Sequence, residues 1–290
     1  MIIGVHGKGF KKRGGVVVDE VFRLLESHKS TIRVSEKFDE ILRLSHLNRH
    51  YEIYSHEDDG ARLDFLFSLG GDGTLLEALT HVNKAETPLL GINTGRLGYL
   101  ATISRNNIKE AIQAIFNNNY ELDERILIHM EDPGGLFNSL NFALNDFTIL
   151  KKDTSSMIFV RAYVDGEFMN SYWADGLITA TPTGSTGYSL SCGGPLVMPH
   201  SDNFVLTPVA PHNLSARPMV LSALSRITFE IRGRAENVMI SLDSRSRIIP
   251  SGTKLSICKE RFKAKLVKLK GYSNFDTLRQ KLNWGLDVRN

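Results

Sequence analysis

The chain has 290 residues, 42% of them hydrophobic and 23% charged, with a formal net charge of +3. That composition belongs to a folded globular protein rather than a disordered chain, and the charge is too small to argue for nucleic acid or an anionic membrane as partner. The two cysteines, Cys192 and Cys258, supply neither a disulfide framework nor zinc-ligand spacing, so a reducing compartment, the cytoplasm, is expected.

In chain order, Met1–Val5 reads as a short buried strand, too short for a signal or a span, and no later run approaches the roughly 18 apolar residues of a spanning helix. Val16–Ser27 carries apolar residues at helical spacing. Tyr51–Tyr54 reads as a strand and Phe65–Leu69 as a nearly continuous apolar strand. Leu75–Val82 reads as a helix, Pro88–Ile92 as a strand and Ile108–Phe116 as an amphipathic helix. The alternation predicts an α/β domain with a parallel sheet over residues 1–120.

From about residue 120 the runs become short and β-rich: Ile126–Met130, Phe142–Leu150, Ile158–Val164 and Gly176–Ala180. Val205–Thr207, Arg226–Ile231, Val238–Leu242, Lys254–Cys258 and Lys263–Leu269 follow, and Asp165-Gly166 marks a hairpin. These predict an all-β second domain over 121–270, a sandwich or a barrel. Ser273 caps a final helix, Phe275–Leu282, which ends before Trp284-Gly285, and residues 271–290 are expected to return to the first domain.

Two segments carry chemistry. In Gly70-Gly71-Asp72-Gly73-Thr74 an apolar strand meets glycines that bring bare backbone N–H groups up to a ligand, and a helix follows. Thr74 with Glu77 reads as a capping box. A helix start suits phosphate, so a carboxylate among those amides has to serve some purpose. Asp72 either accepts a proton from an attacking hydroxyl or holds a divalent metal. The plain alternative is a turn aspartate. The motif lacks Gly-Lys-Ser/Thr and so is not a Walker A loop. The second segment runs from Asp175 to Pro195. Thr183, Ser185, Thr186, Ser189 and Ser191 supply hydroxyls, Gly184 and Gly187 open backbone, and Tyr188 an aromatic face. That chemistry suits ribose and base, although Ser/Thr/Gly loops are common at surfaces. The basic stretch Gly7 to Gly15, containing Lys8, Phe10, Lys11, Lys12 and Arg13, is either a phosphate loop or an ordinary solvated one.

With Gly91-Ile92-Asn93-Thr94-Gly95-Arg96-Leu97-Gly98-Tyr99-Leu100, Leu144-Asn145-Asp146 and Leu206 to Pro218, these segments follow the motif order of the NAD kinase family, which the chain resembles over roughly residues 60–285. The resemblance implies transfer of the γ-phosphoryl group of ATP, or of another donor, to the adenosine 2′-hydroxyl of NAD. It implies Mg2+ with the triphosphate and a homo-oligomer, dimer or tetramer, in which one subunit's β domain completes its neighbour's site; nucleic acid and membrane are not expected. It carries the proton acceptor onto Asp72 and dinucleotide contacts onto Gly73, Asn145, Asp146, Asp175, Thr183, Thr186, Gly187, Tyr188, Ser189, Leu190, Ser191, Ala210 and, more weakly, Arg245. The chain departs from the family pattern in having Asp146 for Glu, Gly187 and Cys192 for Ala, Trp173 and Ser156 for basic residues or His, and Arg245 for Gln. His212 reads best as a structural hydrogen-bonding group. The rivals are a lipid or sugar kinase sharing the glycine–aspartate turn, and a dinucleotide-binding regulator without chemistry.

Overall fold

The computed structural model describes residues 1–9, 12–47, 49–55, 63–95, 98–131, 134–152, 157–233 and 236–283. Phe10, Lys11, Arg96, Leu97, Ser156 and Trp284-Gly285, singled out above, lie outside them. The chain forms two compact units, Met1–Asp123 with Lys265–Asn290, and Glu124–Ala264.

In the first unit β1 (Ile2–Gly7) leads through α1 (Lys12–Ser27) to β2 (Thr31–Ser35), then α2 (Glu36–Leu44) and β3 (Glu52–Tyr54). Next come β4 (Phe65–Leu69), α3 (Asp72–Val82), β5 (Leu89–Ile92), α4 (Ile108–Phe116) and β6 (Tyr120–Arg125), whose last two residues belong to the second unit. The β2–α2 pair was not read from the sequence, although Ile32 and Val34, then Phe38, Ile41 and Leu42, carry the two periodicities. The sheet order is β3-β2-β1-β4-β5-β19-β6, and β1, β2, β3, β4 and β5 pair in parallel. The chain moves from β1 outward to β3 and returns on the other side of β1 at β4. The carboxyl ends of β1 and β4 therefore flank the switch point, where open α/β sheets place ligands. Ile3, Val5, Phe22, Phe38, Phe67 and Ile112 are fully buried in this unit's core.

The second unit contains β7 (Ile128–Glu131), β8 (Phe142–Ala143), β9 (Asp146–Lys151), β10 (Ile158–Val164), β11 (Glu167–Ala174) and β12 (Gly176–Ala180). After the single turn α5 (Tyr188–Ser191) come β13 (Asn203–Val209), β14 (Met219–Ser222), β15 (Ile227–Gly233), β16 (Asn237–Leu242), β17 (Arg245–Pro250) and β18 (Lys254–Lys259). They form two six-stranded sheets, β11-β10-β15-β18-β7-β8 and β14-β13-β12-β9-β16-β17, antiparallel in every described pairing. One core holds side chains of both, with Phe147 stacked on Phe229 at 5.9 Å, so the β-rich half is a sandwich. Asp165 and Gly166 both have positive φ (51° and 89°), which makes the expected hairpin turn.

The strand expected at Lys263–Leu269 is β19 (Ala264–Leu269), and it lies in the α/β sheet, parallel to β5 through Leu266 and Leu89, rather than in the sandwich. Leu266, Val267 and Lys268 are all buried, so the strand is covered on both faces, as parallel strands are. The chain ends in α6 (Asn274–Leu282), capped by Ser273, whose hydroxyl accepts from the Asp276 N–H. Lys281 lies 5.9 Å over the Tyr99 ring, so the helix returns to the first unit.

Candidate active site

Asp72 follows the buried β4 and is the first residue of α3, with Gly71 as N-cap. The expected capping box is absent. Thr74 is the third helical residue and buried, because Gly70 leaves room for it: a Cβ at Gly70 would lie 2.2 Å from the Thr74 Oγ1. Glu77 is drawn away by Lys37 Nζ at 2.6 Å and Lys8 Nζ at 2.9 Å. Burial alone would raise its carboxyl, but hydrogen bonds from Lys37 and Lys8 and the neighbouring His6 bring it down to about 2.

The Asp72 carboxylate accepts three backbone hydrogen bonds, from Tyr99 N–H to Oδ2 (2.8 Å) and from Leu100 and Ala101 N–H to Oδ1 (2.9 Å each). Gly98 lets the loop come this close. Gly71 and Gly73 are exposed, and a Cβ on either would meet nothing within 4 Å among the described residues.

In the second unit the hydroxyl-rich loop folds against the Asn145-Asp146 turn. Thr181 N–H donates to the Asn145 carbonyl at 2.9 Å, and a Cβ on Gly184 would come within 2.0 Å of that same oxygen. Thr183 is buried and accepts from the Arg125 guanidinium at 3.1 Å; Arg125, itself buried, was not singled out in the sequence. The Thr186 hydroxyl donates to the Thr183 carbonyl. Ser189 is fully buried and bonded to Thr207 at 2.8 Å, so its hydroxyl serves the fold; Leu190 is half-buried and Ser191 exposed. Tyr188 and Gly187 are exposed at the tip. Burial, then the charges of Cys192, Asp146 and Asp175, push the Tyr188 phenol up, so these groups share one neighbourhood. Asp175 pairs with Lys151 at 2.7 Å, and Ala210, in the left-handed region at φ 42°, follows Val209, whose carbonyl accepts from the Asp175 N–H.

Sequence reading noted Ser241 to Arg245 only as a departure from the family's Asp-Gly pair and assigned no role to Asp243. Its carboxylate accepts from the N–H groups of Leu144 (3.0 Å), Asn145 (2.7 Å) and Asp146 (3.3 Å), and so shapes the turn that presents Asn145 and Asp146. Burial, reinforced by the Asp243 charge, lifts Asp146 to about 7. Arg245 donates to the carbonyls of Leu140 and Phe142 and stacks on the Phe142 ring, so its guanidinium holds the strand β8. The exposed Trp173 ring lies 4.7 Å from the His212 ring and tilted against it, and the His212 backbone N–H donates to the Trp173 carbonyl.

The fold is shared with solved kinases. A yeast NADH kinase complexed with NADH superimposes with a TM-score of 0.88, covering 99% of this chain and 88% of that one at 23% identity. An NAD kinase from Archaeoglobus fulgidus in complex with ATP gives 0.77, with 98% and 99% covered and 26% identity. The class is thus that of phosphotransferases. Residues 11–120 match the ATP-NAD kinase N-terminal domain and 144–269 the C-terminal domain. Over the full length of both chains, the protein is 48% identical to an NAD kinase of Cytophaga hutchinsonii and 41% identical to one of Flavobacterium psychrophilum. The chain belongs to the NAD kinase family.

Proposed function

We propose that this phosphotransferase moves the γ-phosphoryl group of ATP to the 2′-hydroxyl of the adenosine ribose of NAD, giving NADP, with Asp72 as the proton acceptor. The full-length match to NAD kinases carries the activity. The fixed carboxylate supports the residue role, because orientation of the hydroxyl is the larger part of catalysis in a loose phosphoryl-transfer transition state. The 2′-oxygen bonds to the γ-phosphorus, the bond from that phosphorus to the bridging oxygen breaks, ADP leaves, and the proton passes to Asp72. The exposed Gly73 backbone is assigned to the dinucleotide. Asn145 and Asp146 hold ribose hydroxyls, Asp175 the nicotinamide end, and Thr183, Thr186, Gly187, Tyr188, Leu190, Ser191 and Ala210 line the pocket, with Ser189 contributing through its backbone.

Among the described residues no three His, Cys, Asp or Glu side chains gather as a metal centre. The divalent ion is Mg2+, arriving on the triphosphate as part of the substrate. The free thiols Cys192 and Cys258 suit the cytoplasm. A homo-oligomer is supported by exposed apolar side chains on the sandwich: Phe159 and Trp173, cross-strand partners, and Met219 and Val220 on the edge strand β14. The test is to incubate the chain with NAD, ATP and Mg2+ and assay NADP. An NAD kinase forms NADP and stops on chelation of the metal; no NADP from any phosphoryl donor contradicts the assignment.

A further inference from the structure

The loop over Asp72 is built more tightly than a proton acceptor alone requires. A carboxylate oxygen offers about two acceptor positions. Oδ1 already takes the Leu100 and Ala101 N–H groups, so it is filled, whereas among the described residues Oδ2 takes only Tyr99 and keeps one position. Gly98 is the point of closest approach: a Cβ there would lie 1.9 Å from Oδ1 and 2.6 Å from Cγ. Its backbone is not in the left-handed region, so the requirement is for space and not for an unusual φ. Behind the bonds, Leu100 and Ala101 are buried, and the Gly98 N–H closes on the Ala101 carbonyl at 3.3 Å. Rotating the carboxylate away would leave buried N–H groups without acceptors.

We propose that Asp72 is a latch as well as a base: Oδ1 locks the Gly98–Ala101 loop and thereby fixes the carboxylate, leaving Oδ2 as the oxygen that takes the hydroxyl proton, and Gly98 is the positioning residue that permits the arrangement. The assignment of Oδ2 rests on the proton-acceptor reading above; the latch rests on its own geometry. A carboxylate held in this way cannot spin out of line with the attacking hydroxyl, which is where small misplacements cost rate.

A double-mutant cycle on the full chain tests the latch. Gly98→Ala lowers the melting temperature of the native chain by at least about 4 °C but shifts that of an Asp72→Ala chain by no more than about 1 °C, because the colliding carboxylate is gone. Backbone amide exchange at Tyr99, Leu100 and Ala101 accelerates at least about tenfold in Asp72→Ala and in Gly98→Ala. Gly98→Ala also loses about a hundredfold in kcat, with KM for NAD and ATP within about twofold of native. Equal thermal losses in both backgrounds, unchanged exchange in Asp72→Ala, or full kcat in Gly98→Ala with the three amides released overturns the proposal. If Gly98→Ala does not fold, exchange in Asp72→Ala decides alone. Normal turnover in Asp72→Asn, with the amides responding as stated, removes the base reading and leaves the latch.

Discussion

Two aspartates of the chain sit in opposite surroundings. Asp72 is half-exposed and ringed by backbone donors, whereas Asp146 is buried beside a second carboxylate, Asp243. An unfolded aspartate titrates near about 3.9, so an Asp146 raised to about 7 is favoured by the fold in its protonated form. Its stabilising contribution is complete below about pH 4 and is lost as pH rises through about 7. Asp146→Asn should therefore flatten the change in melting temperature between about pH 4 and pH 7; an unchanged slope contradicts the assignment. A ribose hydroxyl donating to Asp146 favours the carboxylate, so NAD binding near pH 7 should release part of a proton. Calorimetry in two buffers of different ionisation enthalpy reads this directly, and a buffer-independent heat rules it out. The motifs were legible at this scale because glycine, aspartate and hydroxyl residues recur together at two strand ends, although each type alone is common in turns. Asp243 was not, since its partners are main-chain N–H groups about a hundred residues earlier, which no local pattern announces.

Within the elements, glycines separate by what a methyl group would meet. At Gly184 it would press into the Asn145 carbonyl at 2.0 Å; at Gly187 the nearest atom is the Gly184 carbonyl oxygen at 3.2 Å. Gly184→Ala should destabilise the chain by about 2 kcal/mol or more, whereas Gly187→Ala should fall within about 0.5 kcal/mol of native in denaturant melts. Similar losses at both would show that the loop is not packed as described. Glu77 on α3 has the sign opposite to Asp146: held at about 2, it stabilises the fold above about pH 4.5, and that stability is lost as pH falls toward 2. The helices α1, α3 and α4 were readable from periodicity, and the buried strands β1, β4 and β5 from short continuous apolar runs. The edge strand β11 was not, because its exposed Phe168 and Trp173 share it with polar residues and break the alternation. The capping box failed for a tertiary reason: two lysines, one after β1 and one in α2, claim Glu77.

Across the whole molecule the chain folds into two units, each around its own core, and the motif order follows the same division. The α/β-then-β texture was visible in the sequence. The return of β19 to the first sheet was not, because a short apolar strand reads alike in either unit and only burial on both faces tells them apart. Light scattering should give an integer multiple, above one, of the 32.4 kDa chain mass; a single-chain mass would count against the oligomer. The proposed chemistry turns on Asp72. Asp72→Asn preserves the size of the side chain, so NAD binding measured by calorimetry should stay within a few-fold of native while NADP formation with ATP and Mg2+ falls by about a hundredfold or more. Turnover close to native in a variant that binds NAD normally would show that this carboxylate does not take the proton.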